Sequence, residues 1–142
     1  MRSARTFCLT ALLLSASGCT SGLFSGGTAQ ELPPLEPGEA RVLIYRSSTT
    51  GSPYVPEVLL NGERVGKLDQ AGVIFRDVRP GSYAVTASRI SNVVNFSVGA
   101  GDRKYVRFTS GLFEKHMHPE MVDPARGGSE AAGLRVIGQG QR

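Results

Sequence analysis

The chain has 142 residues, room for one domain, and contains 18 Gly, 8 Pro and no Trp, a composition that suits short strands joined by many turns. Its formal charge of +4 comes from 16 Lys and Arg against 12 Asp and Glu, but Arg2 and Arg5 sit at the extreme N-terminus, so 14 basic residues face 12 acidic ones after position 18. Those charges alternate in sign without forming a block, which leaves nucleic-acid binding without an electrostatic footing.

The first 19 residues have three zones: basic Arg2 and Arg5, a mostly apolar run from Phe7 to Ala16, and small residues leading to Cys19. This is the layout of a secretory signal. The run from Phe7 to Ala16 is ten residues, short of the ~20 that a helix needs to cross a bilayer. The stretch from Leu12 to Cys19 resembles the lipobox of bacterial lipoproteins. Ala16, Ser17, Gly18 and Cys19 match its last four positions, with Ala16 where many lipoboxes carry Leu. The resemblance implies that residues 1–18 are removed and that Cys19 is lipidated, with a diacylglyceryl thioether and an N-acyl chain of the palmitate class. One acyl chain holds a membrane marginally, at ~0.8 kcal/mol per buried methylene, whereas three hold firmly. Thr20 in place of Asp favours the outer membrane in the enterobacterial sorting pattern. The competing reading is an ordinary cleaved signal with a chance cysteine. Cys8 lies within the signal, so a lipidated Cys19 leaves no thiol for a disulfide, a thiolate metal site or a nucleophile.

Residues 19–38 read as a lipidated, flexible tether rich in Gly and Pro, with Leu32 to Leu35 as a segment that can also pack on the domain edge. A β domain is expected over 39–110. Ala40–Arg46 is apolar on both faces, as a central strand requires. Val55–Leu60 and Glu63–Leu68 flank Asn61-Gly62, the strongest short hairpin signal, because a type I′ turn needs φ > 0 at both central residues. Gly72–Val78 is a further strand, and Arg79-Pro80-Gly81-Ser82 reads as a type II turn. Ser82–Ser88, Val93–Val98 and Lys104–Thr109 complete about seven strands. Their inward residues are Tyr83, Val85, Ala87, Val94, Phe96, Val98, Val106 and Phe108. Such spacing indicates an all-β chain, a small antiparallel sandwich of immunoglobulin-like type.

The runs Val58–Leu68 and Phe75–Val85 resemble the PEGA-type β module in their Asn-Gly and Pro-Gly turns. The chain is also similar to a family of bacterial lipoproteins with a small β domain of unknown function and a Tyr-Arg first strand like Tyr45-Arg46. These resemblances imply a fold and carry over no catalytic residue.

Residues 111–142 read as a C-terminal extension, partly ordered, with Leu134–Ile137 able to dock as an edge strand. The densest polar cluster is Glu114-Lys115-His116-Met117-His118-Pro119-Glu120. In a strand His116 and His118 share a face and make a weak candidate zinc or copper site, short of the three or four fixed ligands a usable site wants. Arg41, Arg46, Arg103 and Arg107 decorate strands. They are expected to cap exposed faces and discourage aggregation, with an acidic partner, lipopolysaccharide phosphate or peptidoglycan carboxylate as the alternative. No nucleophile elbow, acid–base carboxylate pair or phosphate loop is recognisable, so the chain reads as a non-enzyme without cofactor. The expected role is a lipid-anchored binding or structural accessory in the cell envelope, facing the periplasm. Its expected partners are the membrane, through the N-terminal lipid, and an envelope protein or the cell wall. The alternative is a periplasmic metal-binding protein using His116 and His118.

Overall fold

The computed structural model describes residues 31–47, 53–110 and 117–139. The lipidation candidate Cys19, the signal, His116 and Glu114 lie outside the described residues. The chain forms nine strands and one helix: β1 (Ala40–Arg46), β2 (Glu57–Leu60), β3 (Glu63–Lys67), β4 (Gly72–Val78), β5 (Gly81–Ala87), β6 (Val94–Val98), β7 (Arg103–Ser110), β8 (Met117–Val122), α1 (Pro124–Ala131) and β9 (Arg135–Gln139). The all-β expectation holds, with nine strands in place of about seven.

The strands form two sheets. One has five strands in the order β8-β7-β1-β4-β9 and the other has four in the order β3-β2-β5-β6. Most neighbours are antiparallel, but β1 pairs with β7, and β4 with β9, in parallel. Parallel neighbours need a long connection. Here the chain between β1 and β7 supplies it, because it includes the whole of the four-stranded sheet.

Asn61 and Gly62 have φ of 50° and 81° and close the β2–β3 hairpin, as the type I′ signal requires. The Arg79–Ser82 turn is different. Strand β4 lies in one sheet and β5 in the other, so Pro80 and Gly81 carry the chain across the sandwich and close no hairpin. Gly81 begins β5 at φ 159°, close to extended and far from the ~80° of a type II turn. Pro119, an apparent strand breaker, lies in β8 at the sheet edge, where a missing ladder donor is tolerated.

The main core fills the space between the sheets. Ala40, Val42 and Ile44 of β1 face Val58, Leu60 and Val85 of the second sheet, and Ile74, Val106, Phe108 and Met117 extend the layer. Burying side chains of this size contributes roughly 1.5–3 kcal/mol each. A second apolar cluster covers the opposite face of the five-stranded sheet: Leu43, Tyr45, Val73, Phe75 and Tyr105, closed by Ala131 of α1 and joined by Leu32, Leu134 and Val136. Thus β1 is buried along its whole length, on both faces.

Helix α1 forms on recognisable local chemistry. Asp123 is its N-cap, accepting from Arg126 N at 3.0 Å, and Pro124 follows in the first turn, where a proline loses no hydrogen bond. Gly127 is needed for docking: a Cβ there would overlap Cβ and Cγ of the Tyr105 ring. Gly127→Ala is therefore expected to cost about 1–3 kcal/mol by overpacking. Thermal unfolding of the variant checks this, and an unchanged midpoint would mean that α1 does not rest on Tyr105.

Candidate functional site

The outer face of the five-stranded sheet carries the polar groups that the core does not absorb, set in rows by the strand register. In one row Arg103 of β7 lies opposite Arg41 of β1, which lies opposite Asp77 of β4. In another, Glu120 of β8 is opposite Arg107, and Arg107 is opposite Tyr45. Between them run Tyr105, Leu43 and Phe75.

Arg41 is 1% exposed. Its Nε and Nη2 donate to the two Asp77 carboxylate oxygens at 2.6 and 2.7 Å, and Nη1 donates to the Pro33 carbonyl at 2.7 Å. The guanidinium also stacks 4.8 Å from the centre of the Phe75 ring. Arg46 is equally buried. It donates to the Tyr54 carbonyl, and burial pushes its guanidinium below the ordinary range. The expectation that these arginines cap exposed faces therefore fails for both. A guanidinium buried this deeply must be paired, since removing one partner of a buried pair costs about 3–5 kcal/mol. Arg103, in contrast, is exposed and has no ion pair among the described residues. Like charges directly opposite on neighbouring strands destabilise, and the single carboxylate of Asp77 balances only one of the two.

The second row fastens α1. Tyr45 donates its phenol to Glu130 Oε2 at 2.6 Å. Arg107 bridges Glu120 and Glu130 at 2.7 and 2.8 Å, and Arg126 adds a 2.7 Å contact to Glu130 from within the helix. Burial, reinforced by the Glu130 carboxylate, holds the Tyr45 phenol well above its usual range. The Tyr45 hydrogen bond, with Arg126 and Arg107, holds Glu130 below the usual carboxylate range. Burial alone would lower Arg107, but Glu120 and Glu130 outweigh it and its pKa rises. Two carboxylates meet two guanidiniums, so this row is balanced.

Beside the first row lies a partly open cavity of about 130 Å³. Leu43, Val73 and Tyr105 form its floor, the two arginines Arg41 and Arg103 bound it, and α1 and its C-terminal turn offer only small residues, Gly128, Ala131 and Ala132. Leu32 closes one side and Leu134 and Val136 another.

The histidine segment is placed only in part. His118 lies in β8, where Asn92 Nδ2 donates to its Nδ1 at 2.7 Å. Glu120, a possible co-ligand by spacing, is held by Arg107. Among the described residues no group of three or more His, Cys, Asp or Glu is placed to hold a metal ion. The arginine row was hidden from sequence reading because register, not spacing, brings Arg41, Arg103 and Asp77 together. One signal was available: Arg41 interrupts a face otherwise made of Leu43 and Tyr45.

No curated protein and no solved structure matches the chain. A family model for proteins of unknown function, DUF2846, matches residues 36–123. The match spans β1 to β8. Leu32, α1 and β9, which wall the cavity, lie outside it.

Glu130 gives the fold a signed dependence on pH. Its pKa in the folded state lies below the ordinary 4.5, so the unfolded chain takes up the proton first. Its contribution is present above about pH 4.5 and is lost as the pH falls through the folded value. Tyr45→Phe removes the largest cause of the shift. Thermal unfolding between about pH 6 and about pH 3 should therefore show a smaller acid-induced drop for Tyr45→Phe than for the parent chain. Superimposable profiles would remove Glu130 from the account.

Proposed function

The chain belongs to the DUF2846 family of proteins of unknown function, and from that premise we propose that it is a lipid-anchored envelope protein that works by binding and not by catalysis. Cys19 carries the anchor in this reading, residues 1–18 are its signal, and the β domain faces the periplasm from the outer membrane. In this reading the Asn61-Gly62 hairpin is the PEGA-like feature of the domain.

The observation that carries the reading is the state of the polar groups around the outer-face cavity. Asp77 is held by Arg41, and Glu130 by Tyr45, Arg107 and Arg126. A general base needs a lone pair aimed at its substrate, and these carboxylates already accept from fixed donors. Apolar walls with guanidiniums beside them suit recognition, where orientation comes from a few polar groups in a mostly apolar pocket.

The anchor is tested by metabolic labelling. In cells fed labelled palmitate, the parent chain should take up label and sediment with membranes. Cys19→Ala should lose the label and move to the soluble fraction. A parent chain without label would refute the lipoprotein assignment, and a Cys19→Ala chain that keeps its label would move the modification elsewhere.

A further inference from the structure

We infer that the cavity under α1 binds a small aliphatic carboxylate, with its head on Arg41 and Arg103 and a body of about six carbons against Leu43 and Val73. The inference rests on the binding reading above and names its ligand class.

Charge comes first. Arg103, Arg41 and Asp77 occupy one cross-strand row, so within the row two guanidiniums share one carboxylate and a single positive charge is left over; the Glu39 carboxylate, two residues before Arg41, makes no ion pair with either guanidinium among the described residues. No acidic residue lines the cavity. A carboxylate brings one negative charge and closes that balance. A phosphate monoester brings about −1.5 to −2 and would overshoot it.

Hydrogen-bonding capacity agrees. Arg41 uses three of its five N–H groups, on Asp77 and Pro33, and two remain. Its orientation is fixed by those bonds and by Phe75, so little ordering entropy is lost when it meets an anion. Arg103 has no ion pair among the described residues and stands exposed beside the cavity. Planar, forked guanidiniums match a carboxylate better than an ammonium would.

Size sets the body. The space is about 130 Å³, and an apolar cavity of about 150 Å³ takes up benzene, which puts the apolar part near six carbons. The small side chains of Ala131 and Ala132 keep the space open. Two sources supply this chemistry: a free short-chain fatty acid, or the C-terminal residue of a peptide with an aliphatic side chain.

Calorimetry on the full-length chain in lipid nanodiscs, with empty nanodiscs as reference, tests the proposal. Sodium hexanoate should bind saturably, hexanamide at least about tenfold more weakly, and hexylamine not at all. Arg103→Gln, an exposed change that also relieves the Arg41–Arg103 repulsion, should weaken hexanoate about tenfold without lowering the melting temperature. Ala132→Leu should remove binding by filling the space. N-acetyl-leucine against N-acetyl-leucinamide separates the sources: acid-selective binding of this pair that exceeds hexanoate identifies a peptide terminus, and the reverse a free acid, and both uphold the carboxylate site. Equal binding of hexanoate and hexanamide, or an unchanged Arg103→Gln, overturns it. Loss of all acid binding while palmitate labelling persists overturns the ligand and leaves the lipid-anchored reading standing.

Discussion

Strand β1 must be covered on both sides, and most of the structure follows from that. Its seven residues are all buried, and their alternation sends Ala40, Val42 and Ile44 to one face and Leu43 and Tyr45 to the other. A sandwich of two sheets satisfies only the first face. The second needs another layer, and the chain supplies it from both flanks of the matched domain: Leu32 and Pro33 from one side, α1 and Leu134 from the other. The three layers also account for the buried charges. Arg41 sits under the outer layer, so it requires Asp77 and the Pro33 carbonyl as partners.

The outer layer is thin, and its thinness has a consequence. Helix α1 must come close enough for Gly127 to rest on Tyr105, and close approach demands small residues. The same demand leaves Gly128, Ala131 and Ala132 facing Leu43 and Val73, where larger side chains would have filled the space. The cavity is therefore a by-product of tight docking at one end of the helix. The Tyr45–Glu130–Arg107 contacts hold the helix in place over it. One row of charges, balanced, fixes the lid; the other, with an unmatched guanidinium, borders the opening.

Strand positions and the core-facing residues were legible, because alternation of Val, Ile and Phe with polar residues is a local signal. Asn61-Gly62 was legible for the same reason, since both residues tolerate φ > 0 without tertiary help. The pairing of strands was not. Nothing local says that β4 and β5 part to opposite sheets at Pro80, or that β7 returns beside β1 in parallel. Helix α1 carried its start signal in Asp123-Pro124, but two successive glycines argue locally against a helix interior, and only the Tyr105 ring explains why the helix keeps Gly127. Arg41 and Arg46 looked like surface residues because arginine is rarely buried, and their partners Asp77 and Tyr54 are set by packing. The cavity depends on register and on the α1 contact together, so no single segment announces it.

The three-layer arrangement requires α1 to lie against the outer face of β1 and β7. Nuclear magnetic resonance of the isotope-labelled full-length chain addresses that contact directly, through Gly127. If the helix is docked, the Gly127 α-protons show cross-relaxation to the Tyr105 ring and are shifted upfield by its ring current. Gly127 α-protons at random-coil positions, with no cross-relaxation to Tyr105, would contradict the three-layer arrangement and remove the wall on which the cavity depends.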